Sequence, residues 1–196
     1  MRCSWAVGDE YLPYHDEEWG RPVVDDDSLF ERLCLEGFQS GLSWLTILRK
    51  RPAFREAFAG FRIDDVAGFG ARDVRRLLGD AGIVRNRQKI EATIANARAA
   101  AELRDNGDSL TALVWGAAPR GRPRAPRSTA DLPATTPEST ALSRELRRRG
   151  FRFLGPTTVY ATMQACGVVN DHVLGCVVRG EVERQRRAAL ATVPRA

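Results

Sequence analysis

Four residues of this chain form a set with metal-binding chemistry: Cys3 and His15 near the start, His172 and Cys176 near the end. His15 and His172 are the only histidines, so every imidazole in the chain is matched with a thiol. His172 and Cys176 have i, i+4 spacing, which on a helix aims both side chains the same way. Two thiolates and two imidazoles complete a tetrahedral zinc shell with no open position, a structural arrangement rather than a catalytic one. Such a site would staple the first turn of the protein to its last helix and order an N-terminal segment that is normally loose. Spacing alone leaves a second reading open, in which the cysteines are small buried hydrophobes and the histidines are unrelated to them. Cys34 and Cys166, each inside an apolar run, fit that second description.

The elements that must position these residues read as helical throughout, so the expected class is all-α. Ser28 is placed to cap a helix that carries Leu29, Phe30 and Leu33 and stops at Gly37. A short helix from about Gly41 to Lys50 is expected next, with Pro52 opening another. Short helices at Asp64-Asp65 and from Ala71 to Leu78 follow, joined by Gly68 and Gly70. The longest runs from about Asn86 to Arg104, with Ile90, Ile94, Ala97 and Ala101 at helical spacing and Gly107 beyond its end. From Gly116 to Pro137, Pro119, Pro123, Pro126 and Pro133 forbid a continuous helix. Arg120, Arg122, Arg124 and Arg127 make that stretch a basic surface connection. Helices resume from Thr140 to Arg149 and from Thr157 to Cys166, and the Arg- and Ala-rich residues after Gly180 are expected to fray.

The 196 residues, 43% of them hydrophobic, suit one sizeable domain or two small lobes. No signal peptide or membrane span is legible, and four cysteines without tight pairing fit a reducing, cytoplasmic setting. The net charge is +5, and Lys50 and Lys89 are the only lysines, so the basic surface is almost all arginine. Arginine forks suit phosphate, and the balance favours an anionic partner.

The run Gly150-Phe-Arg-Phe-Leu-Gly-Pro-Thr-Thr158 has a second kind of chemistry. A basic helix, Ser143 to Arg149, ends at Gly150, and a tight turn leads into a new helix at Pro156 and Thr157. Backbone N–H groups at such a turn and at the next helix's start form an anion site for a DNA phosphate, without reading sequence. An ordinary helix–helix corner is the equal alternative on this segment alone.

Four runs together resemble the 3-methyladenine DNA glycosylase I family, the constitutive bacterial branch of the helix–hairpin–helix glycosylases. They are Leu35-Glu-Gly-Phe-Gln-Ser-Gly-Leu-Ser-Trp44, Ala81-Gly-Ile-Val-Arg-Asn-Arg87, Gly155-Pro-Thr-Thr-Val-Tyr160 and Gln164-Ala-Cys-Gly-Val-Val-Asn-Asp-His172. The similarity extends from Cys3 to about Arg179. It implies one glycosylase domain over residues 1–179, with a zinc-binding subregion from 1–20 and 166–179 and a tail from 180 to 196. It implies one structural zinc per chain on Cys3, His15, His172 and Cys176. The implied substrate is double-stranded alkylated DNA, the product free 3-methyladenine, and the default state a monomer.

By the same resemblance Glu36 accepts hydrogen bonds from the amine edge of the flipped base. Trp44 stacks on that base, and Tyr14 and Tyr11 match pocket tyrosines. Phe153, Leu154, Gly155, Thr157 and Thr158 form the DNA-binding hairpin. The bland alternatives are interior packing for the tyrosines and a solvated helix-end carboxylate for Glu36.

Three departures from the wider pattern carry information. In Val169-Asn170-Asp171-His172, Asn170 stands where most of the superfamily has a catalytic aspartate, and an amide cannot act as a base. Asp171, one residue along, would point elsewhere on a helix. Thr157 stands where bifunctional relatives have a nucleophilic lysine, so no Schiff base and no strand cleavage are expected. Ser40 stands where alanine is usual, which touches on fine specificity.

Two other classes compete with a monofunctional glycosylase. One is a non-catalytic, zinc-stapled binder of alkylated DNA, which Asn170 keeps open. The other is a zinc hydrolase or deaminase: His15-Asp16-Glu17 spells H-x-E, but the chain has no P-C-x-x-C string, and four ligands would close the metal.

Overall fold

A central helix whose second half, Leu33 to Phe38, is buried on every side organises the molecule. The structure is a computed structural model describing residues 1–121 and 124–193; Arg122 and Pro123 of the basic connection lie outside the described residues, as do residues 194–196. The helices, in chain order, are α1 (Tyr11–Pro13, continued by a π turn Tyr14–Glu18), α2 (Asp26–Gln39), α3 (Trp44–Ala57), α4 (Ile63–Ala67) and α5 (Ala71–Gly79), then α6 (Arg87–Asp105), α7 (Leu110–Gly116), α8 (Pro137–Arg148), α9 (Pro156–Ala165) and α10 (Arg179–Thr192). No strand occurs among the described residues, as the all-α reading expects.

Helix α2 buries Leu29, Phe30, Leu33, Cys34, Leu35, Glu36, Gly37 and Phe38, and α3, α6, α7 and α9 pack around it. A helix buried on nearly every face is the expected fate of a run this apolar. The three aspartates at its start, Asp25 to Asp27, fix its surroundings. Asp25, not Ser28, is the N-cap: its backbone is extended and its carboxylate accepts from Ser28 N at 2.9 Å. Asp26 accepts from Leu110 N at 3.3 Å and Thr111 N at 2.8 Å at the start of α7. Asp27 accepts from Ile63 N at 2.9 Å at the start of α4. Three consecutive carboxylates thus satisfy orphan N–H groups of three helices.

Several expected boundaries moved. Helix α2 passes through Gly37 because burying Phe38 outweighs the roughly 1 kcal/mol that a glycine costs a helix. Helix α3 is one helix with Pro52 inside it, capped by Ser43 Oγ on Thr46 N at 3.2 Å. A mid-helix proline costs about 3 kcal/mol or more. Here Phe54 and Ala57 are buried beyond it, and Arg51 grips Glu18 at 2.6 and 2.8 Å beside it.

The window from His172 to Cys176 is not helical. Gly175 lies inside it at φ 83°, a left-handed conformation that ends any helix. The expected fraying tail is a helix too: α10 buries Val182, Arg186 and Ala189 along one stripe. Asp171 is accordingly off any helix. It accepts from Tyr160 Oη at 2.6 Å and Gln164 Nε2 at 2.8 Å.

Candidate base pocket and metal cluster

Near the C-terminal end of α2, Glu36 projects into a cavity of about 470 Å³. Trp44 enters it from the first turn of α3, and Tyr11 and Tyr14 enter from α1 and its π turn. All four residues singled out for base recognition therefore line one space. Tyr14 and Trp44 face each other with ring centroids 5.3 Å apart. Trp44 Nε1 is buried without a hydrogen-bond partner.

Glu36 is only 6% exposed. Burial pushes its carboxyl up to about 8, and the positive charge of Arg32, one turn earlier, pulls only partly the other way. Arg32 is engaged elsewhere, donating to Glu18 at 2.9 Å, and its Nη1 is buried without a partner. The pocket's one acid is thus an uncompensated buried carboxylate, a costly state unless a cation or hydrogen-bond donor arrives. Burial also raises the Tyr14 hydroxyl pKa, with the Glu36 charge adding to it.

Trp5, Trp19, Gln39, Ala161 and Gln164 also line the cavity, and none was expected from the sequence. Gln39 and Gln164 sit inside the quoted motif runs, and the density of aromatic residues before residue 20 was the available signal for Trp5 and Trp19. Gln164 is held by Asp171. The proline-rich connection is a further correction, because Thr129 and Leu132 line the same cavity. Thr129 Oγ1 meets Ser4 Oγ at 3.1 Å, and Pro126 O accepts from Leu174 N at 2.7 Å. These contacts hold part of a segment expected to be a free surface connection against both ends of the chain.

Behind the tryptophan wall lies the Cys/His cluster. The ligand atoms of Cys3, His15 and Cys176, all buried, lie within 4.8 Å of one another. His172 stands beside that trio, its ring centroid 4.9 Å from that of His15. Both imidazoles are tethered through Nδ1: His15 to Asp16 Oδ1 at 2.7 Å, His172 to Asn170 Oδ1 at 3.1 Å. That leaves His15 Nε2 at 3.5 Å from Cys176 Sγ, and His172 Nε2 buried with no partner. An Nδ1 tethered to an outer partner is the usual state of a metal-ligating histidine; His15 Nε2 meets Cys3 N at 3.4 Å as well as Cys176 Sγ, and the orphaned His172 Nε2 fits the role of a metal ligand. Burial and the nearby His15 lower the His172 pKa to about 3, which keeps the ring neutral. The N-terminal segment closes tightly over it: a Cβ on Gly20 would come within 2.8 Å of His172 Cε1.

The segment between α8 and α9 turns at Gly150 (φ 90°) and Phe153 (φ 61°). Asn96 pins it from α6, accepting from Arg152 N at 2.6 Å and donating to Arg152 O at 3.1 Å. Phe153 stands out at 46% exposure, whereas Leu154 is buried in the core, its carbonyl accepting from Ser143 Oγ at 2.7 Å. Of the hairpin residues, Leu154 is therefore turned inward. Gly155 caps α9, and Thr157 and Thr158 lie in its first turn. Asn170 lines a different cavity from Glu36.

A family model described as methyladenine glycosylase matches residues 5–179. The chain is 47% identical over 178 residues to DNA-3-methyladenine glycosylase 1 of Escherichia coli (strain K12), covering 89% of this chain and 95% of that one. A crystal structure of 3-methyladenine DNA glycosylase I matches with TM-score 0.87 and 46% identity, over 90% of this chain and 98% of the other. A tyrosine-to-phenylalanine variant of a 3-methyladenine DNA glycosylase I, in complex with 3-methyladenine, matches with TM-score 0.85 and 35% identity, over 91% and 97%.

Proposed function

Because this chain belongs to the methyladenine glycosylase family, we propose that it excises 3-methyladenine from alkylated double-stranded DNA by hydrolysing the N-glycosidic bond. The observation that carries this reading is Glu36, a buried carboxylate without a partner in an aromatic cage. Methylation at N3 makes the base cationic within its nucleotide. A cation entering the cavity gives Glu36 the opposite charge it lacks and restores the ionised form. Glu36 accepts from the amine edge of the base, and Trp44 and Tyr14 offer π faces to its charge. Tyr11 borders the same space.

Cleavage breaks the bond between the sugar C1′ and the base nitrogen. The electron pair leaves with the base, which departs neutral as free 3-methyladenine. Water adds to the cationic C1′ and loses a proton. A leaving group already activated by methylation needs little acid catalysis, so the enzyme's main work is extrusion and recognition. This accords with Asn170, which is committed to His172 and α10 rather than to the base pocket. With Thr157 at the position of the lyase lysine, strands stay intact.

The segment Gly150–Gly155 between α8 and α9 acts as a helix–hairpin–helix that grips a DNA phosphate through the N–H groups of Thr157 and Thr158. Phe153 faces the duplex, with Leu154 and Gly155 holding the turn. One structural zinc per chain is held by Cys3, His15, His172 and Cys176. It supplies a cross-link between the two ends of the 1–179 domain and leaves no position open for substrate. The protein works as a monomer in the cytoplasm, and no described helix is long and apolar enough to cross a membrane.

The deciding experiment is chromatographic identification of every base released from methylated DNA. Free 3-methyladenine with unnicked strands is expected. Retained binding to that DNA with no base released would overturn the reading in favour of a non-catalytic, zinc-stapled binder.

A further inference from the structure

The family match ends at residue 179, where α10 begins. This added helix does more than cover apolar surface. Val182 and His172 both border Gly20, where an added Cβ would meet each of them. Arg186 Nε donates to Val168 O at 2.9 Å, holding α10 on the loop that carries His172. Arg21 Nη1 reaches back to Glu181 at 2.6 Å and Gln185 at 3.0 Å.

The contact that matters most is with Asn170. Its Nδ2 donates to Glu183 Oε2 and to Arg179 O, both at 3.2 Å. An ionised carboxylate and a carbonyl only accept, so they orient the Asn170 amide with its nitrogen toward α10. Its Oδ1 is then left facing His172 Nδ1 at 3.1 Å. An oxygen in that place requires the proton of the neutral imidazole on Nδ1. The lone pair is thereby set on Nε2, the buried atom without a partner. We infer that Glu183, on a helix outside the family match, is a positioning residue that fixes the His172 tautomer through Asn170 and so holds the ligand nitrogen toward the Cys/His cluster.

This inference rests on the metal reading given above, and the test separates the two. Zinc content of the purified protein, and the visible absorption of a cobalt-substituted sample, are measured first. A wild-type chain with no zinc and no tetrahedral cobalt spectrum would overturn the metal reading and this inference with it. With metal present, zinc transfer to a chromophoric chelator is timed for wild type, Glu183→Ala, Glu183→Gln and Glu181→Ala. Loss of an outer-shell partner typically weakens metal binding roughly 10- to 100-fold. Glu183→Ala should release zinc about tenfold faster or more, while Glu183→Gln, which retains an acceptor oxygen, should stay near wild type.

Glu181→Ala removes an exposed contact of the same helix and leaves Asn170 untouched. It should also stay near wild type, whereas general loosening of α10 would accelerate both alanine variants alike. Equal acceleration, or none, overturns the inference. A direct reading on wild type needs no variant: long-range ¹⁵N–¹H correlation should place the His172 proton on Nδ1 and the metal on Nε2. The reverse assignment overturns the proposal even if Glu183→Ala does not fold.

Discussion

The base cavity and the Cys/His cluster share a wall, Trp5 and Trp19, yet they treat buried polar groups in opposite ways. Trp5 lies 5.7 Å from Tyr11 on the cavity side and 5.2 Å from His15 on the cluster side, measured between ring centroids. In the cluster both imidazoles have an Nδ1 partner, and the ligand atoms of Cys3, His15 and Cys176 lie within 4.8 Å of one another. In the cavity Glu36 is left uncompensated while its neighbour Arg32 is given to Glu18. On the function proposed above, the cluster takes a permanent occupant and the cavity a transient one. Low dielectric serves both: it raises the cost of an unpaired charge, so a tethered ligand set favours permanent metal and a lone carboxylate favours a cationic visitor.

The sharpest way to break this contrast is to remove a cluster ligand. Cys176→Ser should cost several kcal/mol, because binding free energy at a structural metal is folding free energy. For a chain of this size that is a fall in Tm of about 10 °C or more, read by thermal melting alongside metal content. A variant that melts with wild type would make the cluster an ordinary core. Removing the cavity's charge should instead leave the fold standing. Glu36→Gln is expected to lower kcat/KM for 3-methyladenine release by about 100-fold, the scale of losing one aimed electrostatic group. Its DNA affinity should stay within about threefold by titration, and unimpaired excision would remove Glu36 from recognition.

Stability should show the same carboxylate from the other side. Glu36 has a raised pKa in the folded chain, so its stabilising contribution is complete below its ordinary value near 4.5 and is lost as pH rises through about 8. Wild type should therefore lose roughly 5 kcal/mol relative to Glu36→Gln between those limits, measured by denaturant unfolding across pH. Parallel pH curves for the two proteins would mean that water already solvates the carboxylate. The smallest expected effect is on the aromatic wall. Trp44→Ala should reduce excision about 2- to 30-fold, the range of a cation–π contact of roughly 0.5–2 kcal/mol. An equal loss with a neutral lesion would show packing rather than charge at work.

Much of the helical content was legible because it is local. Asn86 and Gly107 bracket α6 as their cap chemistry predicts, and Pro156 opens α9. The errors fall where distant packing overrode a local signal. Local sequence makes Pro52 a boundary, but buried Phe54 and Ala57 carry α3 past it. The Arg/Ala-rich end was read as frayed, but Val182, Arg186 and Ala189 find a surface to cover. At the candidate site, Glu36 and Trp44 lie in one of the quoted motif runs and Tyr11 and Tyr14 come from the resemblance outside those runs; the fold brings all four to one cavity. Trp5, Trp19, Thr129 and Leu132 were not legible, because nothing in their spacing relates them to residue 36.

By itself the sequence determined which side chains were available: two histidines, four cysteines, and one glutamate inside an apolar run. It also determined the helices whose caps and periodicity are written within a few residues. Only the tertiary structure decided that Glu36 has no hydrogen-bond partner among the described residues and that Asp171 holds Gln164 rather than a base. It alone turned Asn170 toward α10 and His172. The physical reason is that helix formation and capping depend on neighbours along the chain, whereas burial, pairing and dielectric depend on neighbours in space.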